Sequence, residues 1–271
     1  MMKYKQNLHT HSRFCDGQDS VEEMVQHAIA VGFDSIGFSG HIYKDYTGSS
    51  MAQADIPLYK QEVLRVKEKY QDKIAVWLGA EFDMFADEPK TGFDYTIGSV
   101  HCVKVDGKIV EFDLKAHIVK EIIDKYFGGD GLALAKEYYK TIAQLPQAGP
   151  FDIVGHFDLI CKNCEKAFVF DDQAPAYKQA ALEALHALAE KQRVFEINVG
   201  SMSRGYKSMP YPAPFLLKEL KTLGCGIVIT QDCHHKANLL DNFDYGAEYA
   251  KSCGFDEVLI FDGKGFTGVK L

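Results

Sequence analysis

Short apolar runs alternate with segments of helical period along the whole chain. The apolar runs lie near 4–9, 34–39, 75–81, 94–100, 151–156, 193–199, 226–232 and 257–261, each of strand length and bounded by turn-forming residues. Helical patterns lie between most of them. The clearest covers 20–31, where Ser20 serves as N-cap, Glu23 three residues on completes a capping box, and Gly32 marks the stop. Others run near 57–70, 114–127, 131–145, 173–191 and 213–223. No Pro/Gly/Ser linker or internal repeat divides the chain, so residues 1–271 are read as one domain. Alternating strand and helix predicts an α/β fold with a parallel sheet. Seven or eight such units in one domain of 271 residues point to a TIM-like barrel, whose usual size is about 250 residues, with its chemistry at the C-terminal ends of the strands.

The polar residues that end these runs change the picture from fold to function. The chain has ten histidines. Six of them, His9, His11, His41, His101, His156 and His234, stand where an apolar run ends. Asp16 follows the first run, Glu81 closes the third, and Asp232 closes the seventh. In His9-Thr10-His11 and Asp232-Cys233-His234 the outer residues are two apart, which in a strand puts both side chains on one face. Imidazole and carboxylate are the common ligands of zinc, iron and manganese. Six histidines, two aspartates and one glutamate are too many for one ion and suit three, with a carboxylate as bridge. Sites of this kind generate hydroxide at neutral pH and clamp a phosphoryl group.

Composition narrows the class. The net charge of −8, with no run of Lys or Arg, argues against nucleic acid as a partner. No apolar stretch is long enough to cross a membrane, and the N-terminus turns polar before a signal segment could form. Seven dispersed cysteines fit reduced thiols in a cytoplasm. Cys161 and Cys164 are read as unrelated loop thiols, while Cys15 and Cys233, lying among better ligands, are left out of the metal set. His27, His117 and His186 fall within helical segments, and His235 takes the opposite strand phase from His234.

Other phosphatase chemistries leave marks that are missing here: Cys-x5-Arg, Asp-x-Asp-x-Thr and Gly-x-Ser-x-Gly do not occur. Phosphate also needs cationic donors. The loop after the sixth run, 198–205, offers Ser201 and Arg204. Lys162, soon after His156, is a second cation, and Arg13 a weaker third. The segment from Tyr43, Lys44 and Asp45 toward Pro57 is a candidate rim loop for the rest of a substrate.

His-x-His with a following Asp, Gly-His at 40–41, the strand-end Glu81, Gly-Ser-Val-His at 98–101, Gly-His-Phe-Asp-Leu-Ile at 155–160 and Asp-x-His at 232–234 resemble the motifs of the PHP (polymerase and histidinol phosphatase) superfamily. Within it they are similar to the monofunctional histidinol-phosphate phosphatases. The resemblance implies a distorted (β/α)7 barrel and a centre of three divalent metal ions (zinc, iron or manganese). One ion would be held by His9, His11, Asp232 and Glu81, a second by Glu81, His101 and His156, and a third by Asp16, His41 and His234. It implies hydrolysis of a small phosphorylated substrate by a metal-bridging hydroxide, the substrate being L-histidinol phosphate or, as the alternative, another small phosphomonoester, a phosphodiester or a nucleotide. Arg204 would neutralise charge on the phosphate, Lys162 and Ser201 would assist, and Asp232 or a histidine would protonate the leaving alkoxide. The oligomeric state is left open, a homo-oligomer included.

Overall fold

The computed structural model describes residues 4–43 and 48–271; Lys44 and Asp45 of the expected rim loop lie outside them. Seven parallel strands follow one another around a ring: β1 (Gln6–Asn7), β2 (Ser35–Phe38), β4 (Ala75–Asp83), β5 (Tyr95–Ser99), β8 (Ile153–Val154), β9 (Val194–Asn198) and β10 (Gly226–Thr230). A short β3 (His41–Ile42) lies beside β4, its register setting His41 against Glu81. The helices α1 (Val21–Ala30), α2 (Ile56–Tyr70), α3 (Ala116–Phe127), α4 (Gly131–Ile142), α5 (Leu145–Ala148), α6 (Cys164–Ala167), α7 (Pro175–Ala189), α8 (Gly200–Ser203), α9 (Pro214–Thr222) and α10 (Phe243–Ser252) fill most crossovers. Only β4 and β5 are joined without a helix. The capping box of α1 is present: Ser20 Oγ accepts from Glu23 N at 3.2 Å while Ser20 N donates to Glu23 Oε2 at 2.9 Å.

The ring closes at its C-terminal rim alone. His11 N donates to Cys233 O at 2.8 Å and Cys233 N to His9 O at 3.0 Å, tying the chain after β1 to the chain after β10. Below that seam the eighth predicted strand departs from expectation. Residues 257–261 form β11 (Glu257–Phe261), which pairs antiparallel with β12 (Phe266–Lys270) in a hairpin rather than entering the parallel sheet. The hairpin plugs the open side of the seam through one side chain. Gln6 Nε2 donates to Phe261 O at 2.9 Å, and Phe261 N donates to Gln6 Oε1 at 2.7 Å, in place of two rungs of a ladder. Phe261 is buried, so Gln6→Ala would strand both backbone groups. We expect a loss of about 2 kcal/mol, read as a lower urea midpoint.

Inside the ring, Leu8, Tyr95, Ile97, Ile153 and Val228 pack with Phe261 as an apolar floor. Gly37 and Gly79 leave room for the Tyr95 ring, onto which a Cβ at either would be driven, and the Tyr95 hydroxyl bonds Leu8 O. Elements not foreseen include the hairpin β6 (Cys102–Val105) and β7 (Lys108–Glu111), β12, α10 and the short β3, α6 and α8. Among the described residues no helix is long and apolar enough to cross a membrane.

Candidate metal centre

Above the floor the strands end and the polar residues begin. His9 and His11 lie beyond β1, His101 two residues beyond β5, His156 two beyond β8, and Asp232 two beyond β10; only Glu81 and His41 sit within strands. The expected strand-face geometry of Asp232 and His234 is therefore replaced by a turn, with Asp232 held at φ +52°. A non-glycine residue in that left-handed region costs of order 1–3 kcal/mol and persists where its surroundings fix it.

The fold brings all nine expected ligands together. Glu81, fully buried, divides its neighbours between two oxygens. Oε2 lies 3.1 Å from His9 Nε2, 3.8 Å from His11 Nε2 and 2.7 Å from His41 Nδ1, whereas Oε1 lies 3.0 Å from His156 Nε2 and 3.5 Å from His101 Nε2. Asp232 Oδ1 approaches His11 Nε2 at 3.1 Å and His9 Nε2 at 3.6 Å. Asp16 stands 3.5 Å from His41 Nε2 and 3.3 Å from His234 Nε2. Three groups have donor atoms within 4.8 Å of one another: His9, His11 and Asp232; His41, Glu81 and His101; and His11, Asp16, His41 and His234. His41 thus faces two groups, where the resemblance implied one.

These residues fit divalent ions. His9 Nε2 and Glu81 Oε2 are buried and neither has a hydrogen-bond partner, an arrangement a cation between them would satisfy. The His11 ring packs 4.1 Å from those of both His41 and His234, too close for three imidazolium charges. Burial, and then the charges of His41 and His234, push His11 well below the usual imidazole range, so the neutral ring offers one nitrogen lone pair. Burial opposes ionisation of Glu81, yet His9, His41 and His101 hold its carboxyl well below the usual range. For His9 burial is again the largest influence, but Glu196, Glu81 and Asp232 together raise its affinity for a proton. Ions must displace that proton, so chelator competition is expected to show weaker metal binding at pH 6 than at pH 8.

Behind these residues stands a further carboxylate, outside the nine expected ligands. Glu196, on β9, accepts from His9 Nδ1 at 2.8 Å, Thr230 Oγ1 at 2.8 Å, Asn198 Nδ2 at 2.9 Å and the His156 backbone N. A ligating imidazole oriented in this way is a stronger and better-aimed donor. Glu196→Gln is expected to weaken metal binding about 10- to 100-fold, measured by chelator titration. The available signal was a charged residue inside an otherwise apolar strand.

Six of the nine expected ligands, Asp16, His41, His101, His156, Asp232 and His234, line a cavity of about 440 Å³ together with Arg204, Lys162, Tyr43, Glu111, Asp113, Tyr206 and Tyr211. Arg204 donates through Nη2 to Asp232 Oδ2 at 2.8 Å and through Nη1 to Asp232 O at 2.9 Å. Lys162 Nζ pairs with Asp113 Oδ1 at 2.6 Å. Ser201 is buried outside the cavity lining, its hydroxyl toward Met209 O at 3.5 Å. Arg13 lies on the surface near Glu23, and His235 accepts from Ala237 N at a turn. Tyr43 bonds His41 Nδ1 and His101 Nε2. Cys15 Sγ, half-buried, is 3.6 Å from His11 Nδ1, and desolvation raises its pKa.

Residues 7–200 match the PHP domain. The chain belongs to the PHP domain family. A protein of Schizosaccharomyces pombe named probable histidinol-phosphatase is 26% identical to this PHP chain over 283 residues, 94% of this chain and 88% of that one. The histidinol-phosphatase of Bacillus subtilis is 26% identical over 260 residues, 87% of this chain and 95% of its own. The structure of histidinol phosphate phosphatase from Lactococcus lactis, complexed with zinc, L-histidinol and phosphate, matches with a TM-score of 0.72 at 22% identity. It covers 97% of this chain and 98% of its own, a likeness of fold.

Proposed function

We propose that this PHP protein hydrolyses a phosphate monoester, L-histidinol phosphate, to L-histidinol and inorganic phosphate, using three divalent ions. The observation that carries the reading is one cavity whose floor is a largely buried His/carboxylate set and whose wall presents Arg204 and Lys162. The histidinol-phosphatase relatives, matched over most of their length, support the substrate. His9, His11, Asp232 and Glu81 would hold one ion, Glu81, His101 and His156 a second, and Asp16, His41 and His234 a third. Zinc, iron and manganese all suit these donors. When bound, such ions polarise phosphoryl oxygens and ease the ionisation of water.

The chain's own groups do the rest. Arg204, kept cationic by Asp232, sets a planar donor fork beside the centre, suited to oxygens that gain charge during P–O cleavage. Lys162 adds a second positive charge to the cavity wall. Despite burial, Arg204 and His9 hold Asp232 ionised, which suits it to ligate rather than to protonate a leaving alkoxide. The apolar floor beneath keeps bulk water from the ligands' inner side. The site draws on residues from 9 to 234, so we treat the chain as one catalytic unit. The Cys15 thiol beside His11 suits a reducing compartment, the cytoplasm.

The test is phosphate release by metal-quantified protein from L-histidinol phosphate, beside p-nitrophenyl phosphate, bis-p-nitrophenyl phosphate and a nucleoside monophosphate. We expect kcat/KM of about 10⁴ M⁻¹s⁻¹ or more for histidinol phosphate, well above the others. Equal, weak turnover of all four would overturn the substrate assignment, and no turnover would overturn the chemistry.

A further inference from the structure

Away from the metal centre, a thiol and an amine meet in one buried pair. Cys161 ends the 3₁₀ turn Leu159–Cys161, and Lys207 lies in the loop after α8. Lys207 Nζ donates to Cys161 Sγ at 3.0 Å. Cys161 is 1% exposed and Lys207 is half-buried. A buried ammonium ordinarily meets a carboxylate or a carbonyl; here it meets sulfur, a weak acceptor but a strong nucleophile once deprotonated.

A third residue completes the group. Asp158 is fully buried, and its Oδ2 accepts from Ala213 N at 2.9 Å and from the Cys161 thiol at 3.7 Å. Its Oδ1 is buried without a hydrogen-bond partner. Burial raises the Asp158 carboxyl, so it takes up a proton readily. Burial, and then Asp158, also raise the Cys161 thiol, while Lys207 pulls it down. The thiol is therefore slow to ionise, but it has a proton acceptor on one side and a countercharge on the other. Leu159 and Lys162, beside Cys161 in sequence, line the cavity, a short path for an oxidant little larger than water.

The two loops that carry the pair already adhere. Lys166 bonds Gly205 O, and Glu165 accepts from Ser208 N at 2.8 Å and from Ser208 Oγ at 3.0 Å. Lys162 Nζ lies 4.5 Å from the centre of the Tyr206 ring. Contacts thus hold the backbone on both sides of the pair, and a bond between Cys161 and Lys207 needs little movement of either loop.

We propose that Cys161 and Lys207 form a peroxide-responsive modification site, at which oxidation joins the two side chains by a sulfur–nitrogen bond. First the thiol passes its proton to Asp158 and the thiolate attacks hydrogen peroxide. An S–O bond forms, the O–O bond breaks, and the departing hydroxide leaves as water with that proton. Sulfur is oxidised by two electrons to the sulfenic acid as the peroxide is reduced. Lys207 Nζ, after losing a proton, then attacks this sulfur. The S–N bond forms, and the sulfenic hydroxyl leaves as water with a proton from the amine. One thiol, one amine and one peroxide give one sulfenamide and two waters. A dithiol reverses the link, restoring thiol and amine and itself becoming a disulfide. The link encloses α6, α7, β9 and α8, so it restrains the unfolded chain as a disulfide does. None of this depends on what the cavity hydrolyses.

The test uses the full chain loaded with zinc, which has no redox chemistry of its own, treated with excess hydrogen peroxide. Peptide mapping without reductant is expected to find Cys161 joined to Lys207, lighter by two hydrogens than the separate peptides. Dithiothreitol should undo the link. Tm should rise by about 5 °C or more on linking and fall back on reduction. In Lys207→Arg, which keeps the charge beside the sulfur, no link forms and dimedone labels Cys161 as the sulfenic acid. Cys164→Ser still forms the link. A Cys161–Cys164 disulfide in place of the link would overturn the proposal. So would a dimedone-labelled Cys161 in the unlinked wild type, or an untouched Cys161 while the half-buried Cys15 is oxidised.

Discussion

Glu81→Ala is expected to lower kcat/KM for phosphate release by about four orders of magnitude, ~5.4 kcal/mol of transition-state stabilisation. Glu81 is the one carboxylate whose two oxygens face two groups of imidazoles, His9, His11 and His41 on one side and His101 and His156 on the other. Its removal takes a donor from both groups and leaves five buried rings around a hole that has lost its central negative charge. Bound metal, measured by plasma mass spectrometry, should fall together with activity. Glu81→Gln keeps the volume and should lose nearly as much, because the missing property is charge. Undiminished metal and activity in either variant would show that the centre is assembled without Glu81.

Arg204→Ala is expected to lower kcat by about 10²- to 10³-fold, as loss of one well-aimed transition-state donor does. Metal content should remain, because Asn198 Nδ2 still holds Asp232 Oδ2, at 3.2 Å. Arg204→Lys should recover only part of the rate, since a single ammonium replaces a fork that reaches two Asp232 oxygens and lies 3.0 Å from His234. Parallel loss of metal and rate would mean that Arg204 serves only to orient Asp232.

The parallel strands were legible because their runs are apolar on both faces, and the nine residues gathered at the rim because polar residues interrupt such runs at the strand ends. Gly32 and the Ser20–Glu23 box marked α1 for local reasons that tertiary packing did not override. What escaped the reading depends on long-range contact. Residues 257–261 look like a barrel strand, since β11 is as apolar as one; only the Gln6 side chain at the seam shows why it stays outside. Residues 102–111 carry polar positions and a Asp106-Gly107 turn signal, and Glu111 gained its place over the cavity through hairpin pairing rather than any motif. Glu196 was visible as a charge in a strand, but its hold on His9 spans 187 residues of chain. Ser201 looked available in a loop beside Arg204, yet the short α8 turns its hydroxyl toward Met209.

The seam between the first and last strands of the ring has a consequence for how the molecule is made. His9, His11 and Cys233 close it through their backbones, and Gln231 N reaches Asn7 Oδ1 across 224 positions of sequence. A ribosome must deliver nearly the whole chain before that closure can form. Until then the nascent sheet carries two unpaired edges, the state in which strands recruit one another between molecules. Asp232 and His234 emerge last of the nine gathered residues, so the full donor set exists only after the last strand of the ring has been made. Slow termination, or a truncation before residue 231, would leave a nearly complete barrel that is both open-edged and short of donors.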